Sequence, residues 1–150
     1  MNPQTGINHD TIFDHLLKKA HSPEVASQDG DLKAGAKKAA TIIEETYLNS
    51  YVAHAPMETQ TALAQLENGK MTVWASTQSP FAVQRQVAAA LGLSADKVRV
   101  ITPFVGGGFG GKSASAQAVE AARLAKISGK PVMVMWSREE EFFFDTFRPA

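Results

Sequence analysis

The stretch Val98-Arg-Val-Ile-Thr-Pro-Phe-Val-Gly106-Gly-Gly-Phe-Gly-Gly-Lys112-Ser113 constrains this chain more than any other. A short run rich in β-branched residues leads into five glycines spread over six positions, then a lysine and a serine. An Ala-rich segment of high helix propensity follows. Strand, glycine loop and helix in that order let a backbone present its N–H groups to an anion. Missing Cβ atoms permit close approach, and a helix N-terminus adds partial positive charge. Two patterns fit literally. Gly106-x-Gly108-x-x-Gly111 satisfies the dinucleotide fingerprint. Gly106-x-x-x-x-Gly111-Lys112-Ser113 satisfies the P-loop, with Lys112 for phosphates and Ser113 for magnesium. A glycine turn that only joins strand to helix is the third reading.

Composition narrows the class. The 150 residues suffice for one well-packed domain and are too few for two ordinary ones. Hydrophobic residues make up 44% and charged residues 20%, which describes a globular chain and not a disordered one. Fifteen basic residues balance fifteen acidic ones, which argues against nucleic acid or an anionic membrane as the main partner. No apolar run is long enough to span a bilayer, and the N-terminal residues lack the regions of a signal peptide. A cytoplasmic location is expected, with a periplasmic one as the alternative for the intact protein. Without cysteine, the chain itself carries no disulfide, iron–sulfur ligand or thiolate zinc site.

Residues 1–40 read as a polar lead-in. Ile12, Phe13, Leu16 and Leu17 predict a short amphipathic helix within His9–Ala20, and Asp29 is the expected cap of a second helix reaching Ala39. His9, His15 and His21 do not share a helix face, so they are expected to be solvated and not metal ligands. From Thr41 the pattern turns β-like through Leu48. Thr61–Glu67 and Met71–Ser76 flank Asn68-Gly69, a strong hairpin signal. Ser79 as N-cap and Pro80 in the first turn open a helix with Val83, Val87 and Leu91 on one face. Lys97–Ile101 predicts a strand, Ser113–Ser128 a helix with Ala118, Ala121, Ala122 and Ala125 on one stripe, and Val132–Trp136 a buried strand. Ser137-Arg-Glu-Glu140 is a capping box for a last helix. The order β-β-α-β-α-β-α predicts an α+β (mixed α/β) fold: a mixed sheet of four or five strands containing a hairpin, with helices packed on it.

Both nucleotide patterns lack their companions. A P-loop needs a second magnesium ligand at the end of another apolar strand, and only Asp145 stands downstream, inside or beyond the final helix. Phe109 puts a bulky group in the middle of the phosphate cradle. The dinucleotide pattern needs an acid about 20 residues beyond its glycines, and Glu139 is late. Gln78, at the end of the hairpin's second strand, would converge with the glycine loop if the two strands are parallel neighbours. An amide there orients a ligand and moves no protons; a solvated loop residue is the plain alternative.

Tyr51-Val-Ala-His-Ala-Pro-Met-Glu58, Val73-Trp-Ala-Ser-Thr-Gln-Ser-Pro-Phe81, Pro103-Phe-Val-Gly-Gly-Gly-Phe-Gly-Gly-Lys112 and Met135-Trp-Ser-Arg-Glu-Glu-Glu141 resemble the molybdenum hydroxylases. Within these, the similarity is to the molybdopterin-binding large subunit of the xanthine dehydrogenase and aldehyde oxidase family. It runs colinearly from about Glu45 to Pro149. It implies that residues 41–150 are the N-terminal part of a molybdopterin-binding domain. The cofactor would be molybdopterin, in some members a dinucleotide, carrying molybdenum. The glutamine matching Gln78 would hydrogen-bond the metal's apical oxo ligand. Gly107, Gly108, Phe109 and Gly110 would contribute main-chain contacts, with the Phe109 and Gly110 N–H groups reaching the metal's ligands and the pterin. The implied reaction hydroxylates an aldehyde or N-heterocycle with oxygen from water, electrons leaving through iron–sulfur and FAD partners.

Two departures stand out. Thr59 occupies a position where many relatives have proline. Ser113, a candidate substrate contact, replaces the glutamate of xanthine-oxidising relatives, so xanthine is not the expected substrate. The family's catalytic glutamate has no counterpart here. The resemblance therefore implies a fragment of a larger enzyme, inactive alone, with no catalytic residue of its own. A nucleotide-binding domain and a non-catalytic interaction module are the alternatives.

Overall fold

A computed structural model describes residues 6–8, 10–22, 24–49 and 52–146. His9, Tyr51 and Pro149, named above, lie outside these. The chain divides between residues 51 and 52 into two compact units.

The first unit holds two short helices, α1 (Ile12–Lys19) and α2 (Leu32–Lys38). Asp31, not Asp29, caps α2, its carboxylate accepting the Ala34 N–H at 3.0 Å. The rule that places a cap three residues before its N–H partner thus acts two residues later than expected. Residues 41–49 form no strand, against the β-like pattern of the sequence. Ile42 and Ile43 are exposed, and without a neighbouring edge to pair with, β propensity alone does not make a strand.

The second unit follows the expected order: β1 (Thr61–Glu67), β2 (Lys70–Ala75), α3 (Pro80–Leu91), β3 (Val98–Ile101), α4 (Ala116–Ser128), β4 (Val132–Met135) and α5 (Arg138–Phe144). Its four-stranded mixed sheet runs β3-β2-β1-β4. Strand β1 is antiparallel to β2 and β4, whereas β2 and β3 are parallel. Asn68 and Gly69 both take positive φ, 49° and 72°, as a two-residue hairpin turn requires, and this sets the Glu67–Lys70 register.

One face of the sheet is covered. Ala62, Ala64, Met71, Val73, Ala75 and Val98 turn inward. Ala118, Ala121, Ala122 and Ala125 of α4 are fully buried against that face, small side chains letting helix and sheet approach closely. Val83, Val87 and Leu91 of α3 complete the same core. Strand β4 is not buried on both sides as its sequence suggested. Val132 and Val134 pack inward while Met133 and Met135 stand 62% and 67% exposed. Its continuous apolar run sits at the sheet edge with helices on one side only.

Candidate cofactor-binding site

Because β2 and β3 are parallel neighbours, the chain leaves both at the same end of the sheet. This brings Ser76–Ser79 beside the glycine loop, as the expected convergence required. The Gln78 N–H donates to the Lys112 carbonyl at 2.9 Å, and the Thr77 hydroxyl donates to the same oxygen at 3.1 Å. The buried Ser115 hydroxyl reaches Thr77 Oγ1 at 3.1 Å. The Ser79 hydroxyl makes no cap bond to α3, contrary to expectation; its N–H instead donates to Thr77 Oγ1 at 3.0 Å. The loop's link to α4 also differs from the sequence reading. A 3₁₀ turn at Gly111–Ser113 and the Ala114-Ser115 step separate the glycines from the helix, which starts at Ala116 and not at Ser113. Lys112 breaks the helical path (φ −93°, ψ 20°), with its side chain turned into the protein.

That inward turn decides the nucleotide question. Lys112 is fully buried, and its Nζ donates to Glu58 Oε2 at 2.7 Å. The same oxygen accepts the Gly106 N–H at 2.9 Å. Burial pushes the Glu58 carboxyl up, but the Lys112 ammonium and the Gly106 N–H outweigh it and leave the pKa below its ordinary value. A lysine committed in this way cannot meet a phosphate. Asp145, the only downstream candidate for magnesium, is also committed. It caps α5 at its C-terminal end and accepts from His54, at 2.9 Å from Nδ1 and 3.2 Å from the backbone N. The P-loop pattern is therefore not realised.

The segment from His54 to Gln60 underlies the glycines. A Cβ on Gly106 would lie 2.5 Å from Glu58 Cβ, and one on Gly111 would lie 3.0 Å from the His54 ring. Gln60 Nε2 donates to the Gly111 carbonyl at 3.0 Å. Arg138, next to the capping-box serine Ser137, binds the Pro56 carbonyl. The sequence reading gave His54, Glu58 and Gln60 no role. No local periodicity marks them; their only signal was lying in or beside a motif that ends at Glu58.

On the outer side, the Gly110 N–H donates to Gln78 Oε1 at 3.0 Å. That bond assigns the amide's orientation and leaves its NH₂ without an acceptor among the described residues. The Gly110 N–H, expected to reach a cofactor directly, is spent on this contact. The N–H groups of Gly107, Gly108 and Phe109 meet no acceptor among the described residues. Phe109 is held at φ 51°, an uncommon conformation for a bulky residue, with its side chain 75% exposed. Ser113 is exposed on the 3₁₀ turn. Gln78, Phe109 and Gly110 are thus exposed together, with Gly107 half-buried and Gly108 buried beside them and Ser113 three residues along.

The family model of the molybdopterin cofactor-binding domain matches residues 16–150. This chain belongs to that family. It is 37% identical over 119 residues to a probable hypoxanthine oxidase of Escherichia coli K12, covering 79% of this chain and 12% of that protein. It is 40% identical over 100 residues to the isoquinoline 1-oxidoreductase β subunit of Brevundimonas diminuta, covering 66% and 13%. Among solved structures, quinoline 2-oxidoreductase from Pseudomonas putida 86 aligns with a TM-score of 0.64 and 28% identity, over 79% of this chain and 16% of that one. The chain therefore spans only 12–16% of the length of these relatives. All three are named as oxidases or oxidoreductases, and this chain is similar to one part of each.

The residues present fit a molybdopterin. The loop offers the N–H groups of Gly107 and Phe109, which meet no acceptor among the described residues and suit an anionic group, and glycine at 107 and 110 keeps side chains from intervening. The described residues hold no cluster of three or more His, Cys, Asp or Glu for a metal, so a metal here would come with ligands of its own.

Proposed function

We propose that this chain forms one wall of the molybdenum site in a hydroxylase that oxidises an aldehyde or an N-heterocycle, with oxygen taken from water. The Gly110–Gln78 hydrogen bond carries this reading. It leaves Gln78 Nε2 as a fixed, unspent donor beside the unspent N–H groups of Gly107, Gly108 and Phe109. When bound, the cofactor supplies the electron acceptor for oxidising the substrate carbon. Gln78 would donate to an oxygen of that group, and the Phe109 N–H would donate beside it. Glycine at 107, 108 and 110 lets the main chain approach without side chains intervening. Glu58 and Lys112 hold the loop from behind.

Among the described residues, no carboxylate at this surface is free to take a proton. Glu58 serves Lys112, and Asp145 serves His54. Proton removal therefore falls to residues outside these 150. Ser113 is neutral, so a substrate near it is recognised by hydrogen bonding and shape and not by an opposing charge. Electrons leave to iron–sulfur and flavin partners. The expected location is the cytoplasm; no helix among the described residues is long and apolar enough to cross a membrane.

Gln78→Ala in the intact enzyme tests the reading. A preorganised donor of this type contributes about 3 kcal/mol in the transition state, so kcat should fall about a hundredfold. KM should move little, because substrate binding rests elsewhere. Molybdenum content should be retained, with an altered metal electron paramagnetic resonance signal. Unchanged kcat and spectrum at full metal loading would make Gln78 a bystander.

A further inference from the structure

We infer that Thr77 is the positioning residue for Gln78. Its hydroxyl ties the end of β2, the start of α3, the end of the glycine loop and the start of α4 to one point, and so sets where the Gln78 amide stands. The catalytic value of this anchor rests on Gln78 reaching the cofactor as proposed above; the linkage itself belongs to this chain's own residues. A hydroxyl has one proton to give and two lone pairs with which to accept. In Thr77 all three are used. It donates to the Lys112 carbonyl at 3.1 Å, and it accepts the Ser115 hydroxyl at 3.1 Å and the Ser79 N–H at 3.0 Å. Thr77 is 3% exposed and Ser115 1%, so neither hydroxyl has bulk water as an alternative partner.

The two helix starts depart from the ordinary in the same way. Ser79 and Ser115 stand at the N-cap positions of α3 and α4, where a serine oxygen commonly accepts an N–H of the first turn. Neither side chain makes that bond. Ser79 gives Thr77 its N–H, and Ser115 gives Thr77 its hydroxyl proton. Two helices thus go without a side-chain cap while both serines converge on one hydroxyl. A valine has the same branching at Cβ and would offer none of the three bonds.

Gln78 itself is exposed, so its amide is aimed by two hydrogen bonds to the loop. One runs from its own N–H to the Lys112 carbonyl at 2.9 Å; the other runs from the Gly110 N–H to its Oε1 at 3.0 Å. Gly110 and Lys112 belong to the same tight turn, closed by the Ser113 N–H on the Gly110 carbonyl at 3.2 Å. The place of Lys112 relative to residue 78 therefore fixes the Gly110 contact as well. Thr77 shares the Lys112 carbonyl and closes this clamp from the buried side. There is little slack, because a Cβ on Gly108 would already lie 2.5 Å from Gln78 Oε1. A shift of about half an ångström would take the Gly110 bond out of the normal hydrogen-bond range.

The test compares Thr77→Val, which keeps the shape, with Thr77→Ser, which keeps the hydroxyl, in the intact protein. Amide hydrogen exchange over residues 76–79 and 106–115, read by mass spectrometry, needs neither bound cofactor nor turnover. Exchange there should rise about tenfold in Thr77→Val and return close to the wild-type rate in Thr77→Ser. In the loaded enzyme, Thr77→Val should lower kcat about tenfold with KM little changed. Its molybdenum electron paramagnetic resonance signal should shift in the direction that Gln78→Ala shifts it. Ser115→Ala removes one arm and leaves two, so it should raise exchange over the same residues by a smaller factor, and it decides the matter where Thr77→Val does not fold. Wild-type exchange in these variants, or Thr77→Ser behaving like Thr77→Val, would overturn the inference. So would raised exchange with an unshifted signal while Gln78→Ala does shift it. A silent Gln78→Ala beside raised exchange in Thr77→Val counts instead against the cofactor reading of Gln78 and supports the anchoring by Thr77.

Discussion

Lys112 is fully buried, and among the described residues the carboxylate that meets it is Glu58, with a side chain 31% exposed. Removing one partner of such a pair strands the other charge, whereas removing both does not. Glu58→Ala should therefore cost about 3 kcal/mol in urea unfolding, and the double change Glu58→Ala with Lys112→Met should recover most of it. The pH dependence has a definite sign. The Glu58 pKa is lowered on folding, so its contribution is fully present above its ordinary value of 4.5 and is lost as pH falls through the lowered one. The stability gap between wild type and Glu58→Gln should narrow over that acid window; a gap that widens there would contradict the assignment. Two glycines can be separated in the same way. A Cβ on Gly106 meets Glu58 Cβ and its backbone N, at 2.5 and 3.2 Å, with little freedom to yield. A Cβ on Gly108 meets the mobile end of Gln78. Gly106→Ala should cost about 2 kcal/mol by overpacking. Gly108→Ala should cost less stability and instead move the Gln78 side-chain amide resonances.

At the scale of elements, the helix caps were the most legible signals and also the least uniform in outcome. Ser137 forms the full capping box with Glu140 that its spacing implies. Ser79 occupies the equivalent position before Pro80, yet its hydroxyl caps nothing, because Thr77 receives its N–H and turns the chain toward Lys112. Ser137→Ala should accordingly destabilise by about 1 kcal/mol, and Ser79→Ala by much less, in parallel thermal unfolding scans. Equal losses would mean that the Ser79 hydroxyl caps α3 in solution. The hairpin was readable because two adjacent residues with positive φ define it locally. Strand β4 was readable as a strand but not as an edge, since an apolar run does not say how many faces will be covered.

For the whole molecule, the surface formed by Gln78 and the loop is open. Gln78 and Gly110 are exposed, Phe109 is 75% exposed, and Phe104 is fully so. Holding an anionic pterin takes more enclosure and more donors than one such wall provides. The purified 150-residue chain should hold far less than one molybdenum per chain by metal analysis, whereas stoichiometric metal would show the wall sufficient. Sequence alone determined the order of the elements, the hairpin, the alanine stripe of α4 and the glycine loop between β3 and α4. All of these follow from periodicity and turn chemistry within a few residues. The tertiary structure alone decided what the loop is not and how it is held. Lys112 looked like a phosphate ligand until folding brought it to Glu58, 54 residues away. Asp145, already badly placed for magnesium by its position at the last helix, is held by His54, 91 residues away. The Gln78 amide acquired its direction from Gly110, 32 residues away. A pairwise contact between side chains so far apart leaves no local pattern, because only the packing of the sheet brings them within reach.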